Sequence, residues 1–141
     1  MTDCIFCNII EGKVPCNKVY GDEDVLAFLD IEPATKGHTL IIPKTHVENL
    51  YRIEEDILSK IHRVSKQLAR HYKQVLDCDG VNIIQSNEKA AHQDVMHYHV
   101  HLIPRYEDDG KSVWDELKKD DVDIDLEQLS EDIKLIHYDK H

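Results

Sequence analysis

The chain has 141 residues, enough for one domain that buries about two-thirds of the surface its unfolded form exposes and needs no disulfide staples. It carries 17 Lys and Arg against 28 Asp and Glu, a net charge of −11 with neutral histidines. That balance excludes nucleic acid and anionic membrane surfaces as partners, because both are held by an excess of Lys and Arg; one small phosphate ligand needs only a local site and stays possible.

The N-terminus, Met1-Thr2-Asp3-Cys4, lacks the basic start and small-residue cleavage site of a secretory signal. A cytoplasmic chain with four reduced cysteines is therefore expected, and Cys4-x-x-Cys7 in a reducing compartment points to metal or redox chemistry. Residues 4–12 read as a short helix ended by Gly12 and Pro15. Residues 18–20 and 25–28 read as strands joined by the turn Gly21-Asp22-Glu23-Asp24. A loop follows over residues 30–37, then a third strand over 38–42 that Pro43 stops. The clearest helix covers residues 53–76, where Ile57, Leu58, Ile61, Val64, Leu68, Tyr72 and Val75 recur at three- and four-residue spacing. Asp79-Gly80 breaks the chain before a fourth strand at 81–85, and a fifth spans 97–103 ahead of Pro104. No apolar run approaches the roughly 20 residues that span a bilayer. From residue 107 the chain is acidic, holding 13 of the 28 acids, with short helical patterns near 112–118 and 126–136. Strand pairs around one long helix predict an α+β fold with a mainly antiparallel five-stranded sheet.

The fifth strand carries the chemistry. In His97-Tyr98-His99-Val100-His101-Leu102-Ile103 the side-chain period of two puts three imidazoles on one face and Tyr98, Val100 and Leu102 on the other, toward a core. One histidine on a strand face is ordinary; three in strict alternation ask for a function. Two are open at this point. The histidines coordinate a catalytic zinc, or one is a nucleophile or acid–base that its neighbours orient, a protonated imidazole holding a phosphate oxygen.

These residues, with their flanks, resemble the histidine triad (HIT) family, most closely its Hint-like nucleotide-binding branch. The triad fits the family pattern of histidines alternating with apolar residues. Cys4-Ile5-Phe6-Cys7-Asn8-Ile9-Ile10-Glu11-Gly12-Lys13-Val14-Pro15, Ala27-Phe28-Leu29-Asp30-Ile31, Gly37-His38-Thr39-Leu40-Ile41-Ile42-Pro43-Lys44 and Ile103-Pro104-Arg105 are similar to the family's other segments. The resemblance implies a HIT domain over residues 1–106 and leaves 107–141 as an acidic extension packed on or near it. It implies that His99 attacks the α-phosphorus of a nucleotide ester or amide, that a covalent nucleotidyl-histidine forms, and that water hydrolyses it. His101 then holds the non-bridging oxygens. Asn87 and Gln93, with the backbone around Asp94 and Val95, map to the phosphate side. Asp30 accepts from the ribose hydroxyls, Phe28, Ile31 and aliphatic residues of the 10–20 segment enclose the base, and His38 lies near sugar and phosphate.

Two positions depart from the pattern: His92 stands where the family commonly has glycine, and Asp94 where it often has Ser or Thr. If the first position needs positive φ, His92 is strained there or the loop takes a different path. An ionised Asp94 repels phosphate unless it points away, and a protonated Asp94 instead has a proton to pass to the leaving group. The resemblance also implies a structural zinc on Cys4, Cys7, His46 and His97, no organic cofactor, and a homodimer in which the long helix and the 81–85 strand meet their counterparts. Four functions follow. The leading one is hydrolysis of purine nucleoside phosphoramidates or related nucleotide adducts. The others are dinucleoside polyphosphate hydrolysis, a nucleotide-binding regulatory module, and a zinc hydrolase using all three histidines; this last conflicts with the flanking segments.

Overall fold

A computed structural model of the chain describes residues 3–117, 119–120 and 122–135. The chain divides into two compact units, Met1–Gly110 and Lys111–His141. The first holds a five-stranded sheet in the order β1-β2-β3-β5-β4, built from β1 (Lys18–Gly21), β2 (Val25–Leu29), β3 (Thr39–Pro43), β4 (Gly80–Ile84) and β5 (Val100–Arg105). Every pairing is antiparallel. Among the described residues the second unit has a 3-10 turn at Val113–Asp115 and an amphipathic helix, α3 (Leu126–Ile133), capped by the Asp125 carboxylate on Gln128 N–H. No described helix is long and apolar enough to cross a membrane.

Both faces of the sheet are covered, so β2 and β3 are apolar runs rather than alternating ones. One face packs on the long helix α2 (Glu55–Val75): Val25, Ala27, Ile41, Val100 and Leu102 meet Ile61, Val64, Leu68 and Tyr72 in one core. The opposite face carries Leu26, Phe28, Leu40 and Ile42 under Phe6 of the short helix α1 (Ile5–Ile10). Glu55 and Asp56 lie in the first turn of α2, where acidic groups suit the partial positive charge of the helix end. The predicted stripe holds except at Val75, the last residue of the helix, which is 58% exposed.

The fifth strand differs from expectation in one respect that matters for the site. The β3–β5 ladder ends at Ile41↔Val100, so His97, Tyr98 and His99 precede the strand instead of lying within it. Extending that register would set Tyr98 against Pro43, which has no N–H to donate. Tyr98 N–H donates instead to Val47 O at 2.7 Å. The alternation of side chains survives in this extended segment. Tyr98, Val100 and Leu102 enter the α2 core, while the rings of His97 and His99 lie against Phe6 on the other face.

A turn positions the remaining histidine of the site. Gly37 has φ +96°, and a Cβ there would stand 2.6 Å from Leu76 Cδ1 and 3.0 Å from Pro104 Cγ, so only glycine fits. Thr39 Oγ1 donates to Gly37 O at 2.8 Å, and the Tyr72 hydroxyl of α2 donates to the same Oγ1 at 2.7 Å. His38 is thereby held between the turn and β3.

Candidate active site

The tautomers of the histidines follow from their partners, because a carbonyl only accepts and an amide N–H only donates. His99 is 4% exposed, and its Nδ1–H donates to His97 O at 2.7 Å, leaving the Nε2 lone pair uncommitted by the ring's own tautomer. Ala34 N–H donates to His38 Nδ1 at 3.0 Å. His38 therefore carries its proton on Nε2 and donates it to His101 Nδ1 at 2.9 Å. His101 in turn keeps its own proton on Nε2. His99 and His101 stand edge to face, with ring centres 5.0 Å apart. A bare nitrogen thus sits beside an N–H donor, which is what in-line attack on an anionic phosphate requires of two neighbouring imidazoles.

Burial pushes the pKa of His101 down to about 4; nearby His99 and His38 push the same way, against Asp94 and Asp30. Burial also lowers His38, against the raising effect of Asp30. With no anion bound, His101 is therefore a neutral N–H donor at pH 7. A testable consequence follows from linkage. The unfolded chain protonates this histidine near pH 6.5 and the folded chain only near 4, so stability present above pH 6.5 is lost as pH falls toward 4, by on the order of 3 kcal/mol at most. Urea unfolding at pH 7.5 and pH 5 is expected to show a smaller loss in His101→Asn than in the parent; equal losses would contradict the assignment.

Asp30, Phe28, Ile31, Asp94, Val95, His99 and His101 line one cleft of about 300 Å³. Ile31 forms its exposed rim at 85% exposure, and Val14 and Pro15 supply the expected aliphatic wall. Asp30 Oδ1 accepts from Glu32 N–H at 2.9 Å, while Oδ2 lies 3.6 Å from His38 Nε2. Phe6 and Ile9 of α1 also line the cleft, and sequence reasoning did not single them out. Their i, i+3 spacing beside the Cys4/Cys7 pair was the available signal. Phe6 in particular packs edge-on to both His97 and His99, with ring centres 5.7 and 5.1 Å away.

Two expected residues are not brought into the cleft. Asn87 Oδ1 accepts from Leu50 N–H at 2.7 Å, and its amide pairs reciprocally with Gln85 at 2.8 Å. Gln93 is buried, accepts from Glu88 N–H at 2.7 Å and donates to Glu48 O and Val95 O. The buried Gln93 amide is engaged by the loop backbone, as a buried amide must be satisfied where it stands, while the half-buried Asn87 amide pairs with Gln85. Between them His92 has φ +68° and ψ +32°, the left-handed conformation that the family's glycine adopts freely. A non-glycine residue there stores strain of about 1 kcal/mol. Asp94 reaches back over the site, with Oδ1 3.3 Å from His99 Nε2.

On the far side of Phe6, Cys4, Cys7, His46 and His97 converge, with one ligand atom of each lying within 4.8 Å of the others. Cys4 Sγ and His97 Nδ1 are 3.3 Å apart, Cys7 Sγ and His46 Nδ1 3.3 Å, Cys7 Sγ and His97 Nδ1 3.6 Å, and the two Nδ1 atoms 3.2 Å. A tetrahedron with Zn–N and Zn–S bonds of ordinary length has edges of about 3.3–3.8 Å, so the four donors fit a zinc ion with little movement. His97 Nε2–H donates to Pro43 O at 2.8 Å, which turns the unprotonated Nδ1 toward the thiols. The same residue's carbonyl holds His99, so the metal-ligand set and the bare Nε2 share one backbone unit.

A family model for the HIT domain matches residues 11–108. The structure of SMU.412c from Streptococcus mutans is similar to this chain with a TM-score of 0.84 and 44% identity, over 95% of this chain and 85% of that one. A Zn-bound histidine triad family protein from Mycobacterium smegmatis superposes with a TM-score of 0.76 at 40% identity, over 79% of this chain and 81% of that one. Among curated relatives, the adenosine 5′-monophosphoramidase HNT1 of Saccharomyces cerevisiae is 43% identical over 102 residues, 72% of this chain and 62% of the relative. The triad, the cleft and these matches agree: the chain belongs to the HIT family, as a Hint-like protein.

Proposed function

We propose that the protein is a nucleotidyl hydrolase that cleaves purine nucleoside phosphoramidates or similar nucleotide adducts through a nucleotidyl-His99 intermediate. The observation that carries this reading is His99 itself: its Nδ1–H is fixed on a carbonyl, and its Nε2 belongs to a cleft shared with the Asp30 carboxylate. A carboxylate suits a ribose diol, because it accepts from two hydroxyls. Phe28 and the α1 side chains give a base an apolar slot. In the first step Nε2 bonds to the α-phosphorus as the leaving group departs. In the second, water bonds to phosphorus and the Nε2–phosphorus bond breaks, so one hard displacement becomes two easier ones. His101 Nε2–H steadies the non-bridging oxygens, and His38 keeps that proton in place by donating to Nδ1.

The monophosphoramidase named among the relatives supports the amide reading. So does the lining of the cleft, where among the described residues no Lys or Arg stands to hold a second run of phosphates. With the pure protein, kcat/KM for an adenosine phosphoramidate is expected to exceed that for a diadenosine polyphosphate by tenfold or more. The reverse order would favour the polyphosphate reading, and nucleotide binding without turnover of either would favour a regulatory module.

Cys4, Cys7, His46 and His97 are proposed to hold a structural zinc, which would supply a fixed anchor for the segment carrying His99. No reaction step passes through it. We further propose a homodimer: β4 is an edge strand of the sheet with Ile83 exposed, a surface that a second copy would cover. The cysteines are read as reduced thiols of a cytoplasmic chain, and the segment beyond residue 106 as an extension of the HIT domain.

A further inference from the structure

We propose that Thr39 and Tyr72 are positioning residues of the reaction: their hydroxyls clamp the Gly37–His38 peptide and so set where His38 presents its Nε2–H to His101. The inference rests on the reading in which His101 Nε2–H steadies the phosphate oxygens. That reading needs His101 to keep its proton on Nε2, and His38 enforces this by donating to Nδ1 at 2.9 Å. What holds His38 in place then decides how well His101 is aimed.

The order of donors is fixed by chemistry. Gly37 O can only accept, so the Thr39 hydroxyl commits its single hydrogen there, at 2.8 Å. In the 2.7 Å contact between Thr39 Oγ1 and the Tyr72 hydroxyl, Tyr72 is therefore the donor. Burial pushes the Tyr72 pKa up, so the phenol keeps its hydrogen. Both side chains are buried, where a hydroxyl carries a desolvation cost that Phe or Val of similar shape avoids. Hydrogen bonds in series polarise one another, which strengthens the hold on Gly37 O.

The clamp acts across the sheet. Thr39 sends its side chain toward α2, and the residue before it sends its ring to His101 on the cleft side. The carbonyl that Thr39 grips belongs to the peptide unit entering His38. The N–H of that same unit donates to Thr35 O at 3.2 Å, and the next unit is held by Asp30 N–H on His38 O at 3.0 Å. With both flanking peptides fixed, the backbone of His38 is fixed, and Ala34 N–H on Nδ1 at 3.0 Å settles the ring. The turn is also tied to the strand that carries His101, because Thr35 Oγ1 donates to Pro104 O at 2.6 Å. His38 and His101 thus share one frame, with the α2 hydroxyl as its far anchor.

The consequence is kinetic. A donor to the phosphate oxygens counts most as charge gathers in the transition state, and a displacement of about 1 Å costs up to roughly 10²-fold. Loosening the clamp therefore slows the chemical step. Substrate affinity, supplied at the base by Phe28, Val14 and Pro15, stays near its parental value.

The test uses full-length protein and an adenosine 5′-phosphoramidate under single-turnover conditions. It reads the rate constant at saturating enzyme and the enzyme concentration at half-saturation. Thr39→Val is expected to lower the rate constant by about 10–50-fold, with half-saturation moved by about threefold or less. Tyr72→Phe, which keeps the shape of the core, is expected to lower it by about 3–10-fold. Thr39→Ser keeps the hydroxyl and should stay within about threefold of the parent. In a His38→Ala background, Thr39→Val and Tyr72→Phe should each add about twofold or less, because the residue they position is gone. Thermal melts set the assay temperature below unfolding for every variant, and Tyr72→Phe carries the test if Thr39→Val does not fold. A parental rate in Tyr72→Phe, a loss in Thr39→Ser equal to that in Thr39→Val, or losses undiminished without His38 overturn the proposal. Failure of the underlying reading looks different: His38→Ala would then keep parental turnover, and the proposal would fall with it.

Discussion

Replacing His99 by alanine is expected to abolish turnover, by about 10⁴-fold or more, while nucleotide affinity changes by roughly threefold or less. The asymmetry follows from which atoms go missing. The substitution removes the nitrogen that bonds to phosphorus, and leaves Asp30 for the ribose and Phe28, Val14 and Pro15 for the base. It also empties a buried position and frees His97 O from its donor, a stability cost of about 1–3 kcal/mol that thermal unfolding registers separately. His101→Ala is expected to be milder, about 10²–10³-fold in kcat, because it deletes a donor to the phosphate and spares the bond-forming atom. Turnover assays and equilibrium nucleotide binding on the same preparations check both halves; near-normal turnover in His99→Ala contradicts the assignment.

The second large effect concerns the metal. Protein purified without chelator is expected to contain close to one zinc per chain, and Cys4→Ser or Cys7→Ser to lose it. Zinc binding draws its folding contribution from ligands that do not converge in the unfolded chain, so its loss is expected to cost several kcal/mol and to lower Tm by 10 °C or more. Activity should fall with it, since His97 joins the metal-ligand set to the carbonyl that fixes the His99 tautomer. Elemental analysis and thermal melts read this without any assay of turnover. A metal-free protein with the stability of the parent contradicts it.

Much of the fold was legible because its signals are periodic and local. The stripe from Ile57 to Tyr72 announced α2, and alternation from His97 to Leu102 assigned imidazoles to one face and apolar residues to the core. Flanking segments singled out Asp30, Phe28 and the Cys/His set; the first two line one cleft, and Cys4, Cys7, His46 and His97 gather in a separate cluster. What escaped depends on contacts distant in sequence. The ladder stops at Val100 because Pro43 has no N–H, which matters only once β3 and β5 are paired. The His38–His101 hydrogen bond joins residues 63 apart and settles a tautomer that no spacing encodes. Gln93 and Asn87 are polar loop residues in either reading, and only the path of the 85–95 loop turned their amides to the backbone. His92 is the converse case: the missing glycine left strain or a different loop path open, and the backbone takes the positive φ.

The central claim is a bond between His99 Nε2 and the α-phosphorus, and it is tested most directly by trapping. The protein is mixed with an adenosine phosphoramidate, quenched within a single turnover, digested under conditions that preserve phosphoramidate bonds, and sequenced by mass spectrometry. The account predicts adenylate on His99, and none on that peptide in His99→Ala. Adenylate on another residue, or rapid turnover with no adenylated peptide under conditions that preserve a synthetic nucleotidyl-histidine standard, would contradict it.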